Sequence, residues 1–335
     1  MIIVTFGRER EGALKYFFSM ESLKGIHHVT AMAGDPQANV DFYCGILGLR
    51  LVKLTVNFDD PNTYHLYYGD AVGSPGTILT FFPLGRNSRA TIGTGEVTTI
   101  SFAVPKGALP FWQELLGKHS IAVSAATERW NFTRMELQDP DGIKLELVED
   151  PTPRPFSFWK DGGIPESFAV RGFFGVTISV ASAADSIRFL TDRLGANPQA
   201  TLEQSGLFVI GESERAGFVE IVALGHRQRG QMGPGAVHHV AWRVTNEDEQ
   251  LAWRSKLAES GVGVTPVRDR KYFRSIYFRE PGEVLFEIAT DPPGFTADEP
   301  RESLGAKLQL PEWLECERRF LQKILPPVKV PTAFR

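Results

Sequence analysis

The sequence predicts an α+β fold assembled from four βαβββ units. Three observations carry that prediction. The chain matches itself at four places; each match opens on a β-branched or aromatic run and passes into helical spacing; three more extended runs, punctuated by Gly, Pro, Asn and Asp, complete it. With 335 residues, 42% apolar and 23% charged, the chain suits about two globular domains of ~100–200 residues.

The first unit begins with the strand-like Gly25-Ile26-His27-His28-Val29-Thr30. Helical spacing follows from Pro36 to Leu47, with Val40, Phe42, Tyr43, Ile46 and Leu47 as its apolar positions. Extended runs at Leu49–Val56, Tyr64–Gly69 and Thr77–Pro83 close the unit, separated by Asp60-Pro61-Asn62 and Gly73-Ser74-Pro75-Gly76. The same order recurs from Val97 to Val148, from Gly172 to Leu224 and from Val237 to Ala289. Units two and four align nearly in phase, Gly95 to Phe102 over Gly235 to Trp242. Units one and three share their openings, Gly25 to Thr30 over Gly172 to Thr177. Two duplications explain both pairings.

Pro151-Thr152-Pro153-Arg154-Pro155 and the Gly- and Pro-containing stretch after it interrupt the pattern midway. The expected organisation is an N-terminal extension (1–22), a first domain of two units (23–150), a linker (151–170), a second domain of two units (171–295) and a tail (296–335). An amphipathic helix over Pro311–Leu325 is expected to pack the tail on a domain surface. Met1 to Met20 fits no unit: either translation starts at Met20 or the stretch is a loosely held arm.

Thirty-six basic residues against 40 acidic give a formal charge of −4, with no broad positive field to attract nucleic acid or anionic lipid. Nothing approaches the ~18 consecutive apolar residues of a membrane span. The N-terminal stretch also lacks the order of a secretory signal. Two cysteines, Cys44 and Cys316, form neither a disulfide framework nor a thiolate metal site, which fits a cytoplasmic protein.

Four of seven histidines form two adjacent pairs, His27-His28 and His238-His239, at the same point of units one and four. The repeat supplies its own control. Unit three carries Phe174-Gly175 there and unit two Thr98-Thr99, so the fold does not require histidine. Imidazole is the commonest protein metal ligand, and successive strand residues face opposite ways, so one His of each pair is expected at a shared centre. A carboxylate would complete the set. Glu146, Glu220 and Glu287 end the last strand of three units, but only Glu287 shares a unit with a histidine pair; ion pairing is the structural explanation for the other two. Two imidazoles and one carboxylate on one face of a divalent ion leave about three positions open, whereas a structural zinc is closed by four ligands.

These residues resemble the vicinal oxygen chelate superfamily, whose βαβββ units pair into open mixed-sheet barrels around a metal. More narrowly, Tyr64 to Asp70, Ser74-Pro75-Gly76-Thr77, His238-His239-Val240-Ala241, Asp269 to Phe273, Ser275 to Arg279 and Phe286 to Phe295 are similar to glyoxalase-type ring-cleaving dioxygenases that act on hydroquinones, from Leu23 to about Pro327. The resemblance implies that His28, His239 and Glu287 bind Fe(II), a donor set that does not distinguish Mn(II). It places His27, His238 and Tyr277 in catalytic roles and Thr30 and Arg270 against a small aromatic substrate, with O2 as co-substrate. For His27 and His238 this requires a bulge or twist that turns them inward. The plainer readings are Arg270 paired with Asp269 and Tyr277 in the sheet core. His65 and His119 read as packed core histidines and His226 as exposed; none enters the predicted site. The rivals are extradiol cleavage of a catechol, a glyoxalase-like isomerase and a non-catalytic binding protein. The isomerase needs a second carboxylate ending unit one, where Thr77 to Pro83 has none. A homo-oligomer is left open.

Overall fold

The computed structural model describes residues 22–85, 89–212, 214, 216–225 and 227–330. The N-terminal stretch through residue 21, and with it the choice between Met1 and Met20, lies outside the described residues, as does His226.

All four units form in the expected order. Unit one comprises β1 (Ile26–Ala33), α1 (Pro36–Tyr43), β2 (Arg50–Asn57), β3 (Asp60–Gly69) and β4 (Ile78–Pro83); unit two comprises β5 (Glu96–Val104), α2 (Leu109–Lys118), β6 (Thr127–Arg129), β7 (Phe132–Gln138) and β8 (Lys144–Glu149). Unit three comprises β9 (Phe173–Val180), α3 (Ala183–Arg188), β10 (Asn197–Leu202), β11 (Ser205–Ile210) and β12 (Gly217–Ala223); unit four comprises β13 (Val237–Val244), α4 (Glu247–Glu259), β14 (Arg268–Asp269), β15 (Arg274–Arg279) and β16 (Leu285–Thr290). Helix α1 is started by the Asp35 carboxylate, which accepts from the Gln37 and Ala38 amides, with Pro36 at the first position. It stops short of the expected Leu47: the Leu47 amide reaches back to the Phe42 carbonyl, and Gly48 turns the chain at φ 69°.

Two eight-stranded mixed sheets result, in the orders β14-β15-β16-β13-β1-β4-β3-β2 and β10-β11-β12-β9-β5-β8-β7-β6. Within each unit the first strand runs parallel to the last, and first strands of different units join antiparallel, β1 to β13 and β5 to β9. Unit one therefore shares a sheet with unit four, and unit two with unit three. The sheets do not follow the two halves of the chain, as the expected grouping of consecutive units required. The seam sets the partnership, and the β1–β13 seam is what makes the two histidine-bearing strands neighbours.

A continuous apolar core, including Val29, Leu66, Phe81, Phe102, Leu145, Trp242 and Phe286, links both sheets. The tail packs as expected, burying Leu314, Leu321 and Leu325, while the Tyr64 hydroxyl donates to the Pro326 carbonyl at 3.0 Å. Its expected helix divides into a 3-10 segment, Glu312–Glu317, and α5, Arg318–Ile324.

A contact between the sheets has a pH signature. Tyr43 on α1 donates to Asp139 Oδ2 at 3.1 Å, and the Asp141 and Ile143 amides donate to Oδ1. Burial outweighs these bonds and raises the Asp139 carboxyl to about 6. Protonated Asp139 thus contributes stability that is complete below the ordinary value near 4 and is lost as pH rises through about 6, by roughly 3 kcal/mol at most. Asp139→Asn is expected to raise the melting temperature by a few degrees at pH 7.5 and hardly at pH 4; equal shifts at both pH values would contradict this origin.

Candidate metal centre

Both histidine pairs sit on β-bulges. Along the β1–β13 seam, Ile26 faces Trp242 and His28 faces Ala241, which makes His27 the extra residue; Thr30 faces His239 and Ala31 faces Val237, which makes His238 the other. In the second sheet the same slips fall at Thr98 and Phe174. The bulge is thus a property of the repeat, and units one and four place histidine on it. This bend lets two successive side chains approach one centre despite strand alternation.

The second histidine of each pair meets Glu287. His28 Nε2 and His239 Nε2 lie 3.3 and 2.8 Å from Glu287 Oε2 and 3.3 Å from each other. All three residues are buried, and they are the only such His/Cys/Asp/Glu group among the described residues. Glu287 Oε2 makes no hydrogen bond of acceptable geometry even though both nitrogens are so near. That arrangement fits a cation better than a proton. Donors ~2.1 Å from a first-row divalent ion and at right angles to one another stand ~3.0 Å apart, close to the three observed separations. Burial alone would raise the Glu287 carboxyl, but the two imidazoles reverse the sign and hold it well below the usual range. Burial lowers His239, offset in part by Glu287.

The first histidines support the second. His27 Nδ1 lies 2.9 Å from His28 Nδ1, and His238 Nδ1 lies 2.7 Å from His239 Nδ1. With Nε2 of each ligand given to a metal, Nδ1 carries the hydrogen and the neighbouring imidazole accepts it, fixing tautomer and ring orientation. Burial first, and the adjacent imidazole second, keep both supporting rings neutral; His238 falls to about 3. Glu287 Oε1 is held by the Ser275 hydroxyl on the adjacent strand β15.

A cavity of about 290 Å³ opens above the triad. Thr30, His238, Arg270 and Tyr277 line it, whereas His27 stands behind His28 against Phe273 and does not. Arg270 Nε donates to the Tyr277 hydroxyl at 3.1 Å and Nη1 to Asp59 at 2.9 Å, so its acidic partner is Asp59 rather than Asp269. Phe58, Phe82, Phe273, Met32 and Leu84 supply apolar walls. His65 lines this cavity too and is not a packed core residue; it shares one face of β3 with Tyr67, an alternation that a filled face would show as well. His119, at the end of α2, is exposed instead of core.

The matching positions of the other sheet carry no such centre. Thr99 and Gly175 replace the ligand histidines, Glu146 binds Arg134 at 3.1 Å and the Ser101 hydroxyl at 2.5 Å, and Glu220 pairs with Arg129. Guanidinium groups occupy those carboxylates, as ion pairing predicts. A larger surface cleft of about 760 Å³ between α1 and the β7–β8 hairpin gathers no comparable ligand set.

Comparisons with known proteins give the family and the fold. The family model described as Glyoxalase/Bleomycin resistance protein/Dioxygenase superfamily matches residues 25–147 and 172–288. The chain is 45% identical over 310 residues to the "Putative ring-cleaving dioxygenase MhqO" of Bacillus subtilis (strain 168), covering 91% of this chain and 97% of that one. It is 34% identical over 303 residues to the chlorohydroquinone/hydroquinone 1,2-dioxygenase of Sphingobium indicum, covering 88% and 94%. Among solved structures, glyoxalase I from Zea mays shares the fold, with a TM-score of 0.60 at 14% identity over 80% of this chain and 92% of that one.

Proposed function

The chain belongs to the Glyoxalase/Bleomycin resistance protein/Dioxygenase superfamily, and from that premise we propose that it opens a hydroquinone-type ring with O2 at Fe(II) held by His28, His239 and Glu287. The observation that carries this reading is the convergence of three ligand atoms beneath a cavity sized for one substituted ring. A bound metal supplies Lewis acidity to a coordinated oxygen and a route for electrons between ring and O2. The same donor set accepts Mn(II).

The side chains around that position do the rest. Phe58, Phe82 and Phe273 hold the ring and keep water out. His238 accepts from His239 at Nδ1, so its remaining ring hydrogen is on Nε2, a donor for substrate oxygen in a residue that lines the cavity. Burial and then the Glu287 charge raise the Tyr277 phenol, outweighing Arg270, so Tyr277 keeps its proton and acts as a second donor. Arg270 stays charged beside it and stabilises negative charge that develops on the ring oxygens. Against the isomerase, Thr80 opposite Thr30 on β4 holds the place that Glu287 holds on β16. No described helix is long and apolar enough to cross a membrane. The proposal places the enzyme in the cytoplasm, with Cys44 and Cys316 unpaired, and gives it no nucleic-acid partner.

The test is anaerobic loading with Fe(II) or Mn(II), then O2 uptake with hydroquinone, methylhydroquinone, catechol, or methylglyoxal with thiol. Uptake with para-diols and ring-opened product is expected. Uptake with catechol alone would make it an extradiol enzyme, and isomerisation without uptake would overturn oxygenase chemistry.

A further inference from the structure

Four side chains beside the triad form one hydrogen-bonded row that ends at the cavity. Tyr67 OH lies 2.8 Å from His65 Nδ1, His65 Nε2 lies 2.9 Å from Thr80 Oγ1, and Thr80 donates to Thr30 Oγ1 at 2.9 Å. The last bond fixes the direction of the others. A hydroxyl has one hydrogen, and Thr80 spends it on Thr30, so Thr80 must accept from His65 Nε2–H. Burial keeps the His65 imidazole neutral, which leaves Nδ1 bare, and Tyr67 must donate to it. Every hydrogen in the row therefore points toward Thr30. Thr30 Oγ1 already accepts, and among the described residues it donates to no protein group, so its own hydrogen is offered to whatever occupies the cavity.

We propose that His65, held by Tyr67 and acting through Thr80, is a positioning residue that polarises the Thr30 hydroxyl as an obligatory donor, so that the site selects a ligand presenting an oxygen acceptor, such as an ionised ring hydroxyl. This rests on the reading of the cavity as the substrate site. Without His65 the Thr80 and Thr30 hydroxyls are free to reverse, and Thr30 no longer discriminates.

The row is tested first without turnover. In protein labelled with ¹⁵N-histidine and loaded with Zn(II), two-bond ¹H–¹⁵N spectra are expected to show His65 as the neutral Nε2–H tautomer between pH 6 and 8, assigned by its loss in His65→Gln. An Nδ1–H tautomer or a charged ring would overturn the row. In the Fe(II) enzyme, His65→Leu and Thr80→Val are each expected to raise KM for hydroquinone about tenfold while changing kcat less than about threefold. The double variant should lose no more than the worse single one, because both act through Thr30. His65→Gln, whose amide can donate to Thr80 and accept from Tyr67, should recover most of the loss. Additive losses, or a Gln variant no better than Leu, would overturn the proposal. A wild type that consumes O2 with no diphenol would overturn the substrate reading instead, while the tautomer still decides the direction of the row.

Discussion

Glu287→Gln is expected to lower metal affinity about 10³-fold, leaving the protein folded but essentially metal-free after dialysis and its turnover down by at least as much. The substitution keeps the side-chain volume and the contact with Ser275, and removes only the charge that faces two imidazoles in a buried site. An ion left there without its carboxylate faces a desolvation cost of ~3–5 kcal/mol, which is the source of the magnitude. His28→Ala should behave alike. Glu146→Gln is the control: it occupies the corresponding strand position but is neutralised by Arg134, and should retain one equivalent of metal. Elemental analysis after equilibrium dialysis decides; full occupancy in Glu287→Gln would remove the carboxylate from the ligand set.

Lys53→Met should be the most destabilising substitution outside the centre, by ~3–5 kcal/mol. Lys53 is completely buried on β2, lies 2.6 Å from Asp298 and also pairs with Glu299, and stands 4.9 Å from the centre of the Tyr272 ring. Methionine keeps the stem but removes the cation between the two carboxylates: Asp298 keeps Lys271 and the Tyr272 hydroxyl, while buried Glu299 loses its charged partner. The segment that follows β16 contributes Phe295 and Leu304 to the small cluster containing Tyr67, Tyr272 and Phe273, so its release also loosens the cavity wall. Denaturant unfolding measures the loss, and proteolysis near residues 295–305 should accelerate. A change below ~1 kcal/mol would show that the ion pair holds nothing in place.

Much of this was readable before the structure. The order of β and α periodicities in each unit is a local property, and all four units formed. The triad was readable because the repeat is its own control: positions occupied by Thr99 and Gly175 in two units carry His239 and His28 in the others. Pairing of units was not local. Any first strand can join any other, and only the chemistry said that β1 must lie beside β13, since two ligands for one ion need neighbouring strands. The bulges at His27 and His238 resolved the conflict between strand alternation and adjacent histidines. His65 was missed because a histidine among aromatics on a strand looks the same whether the face beside it is filled or hollow. Hollowness depends on Arg270, Phe273 and Tyr277, which arrive from unit four, about 200 residues further along the chain.

The most direct measurement is anomalous diffraction at the metal absorption edge from crystals of the Fe(II)- or Mn(II)-loaded protein. A single peak within bonding distance of His28 Nε2, His239 Nε2 and Glu287 Oε2, with none at Glu146 or Glu220, is the expected result. A loaded protein whose peak lies elsewhere, or is closed by a fourth side chain, would contradict an open three-residue centre.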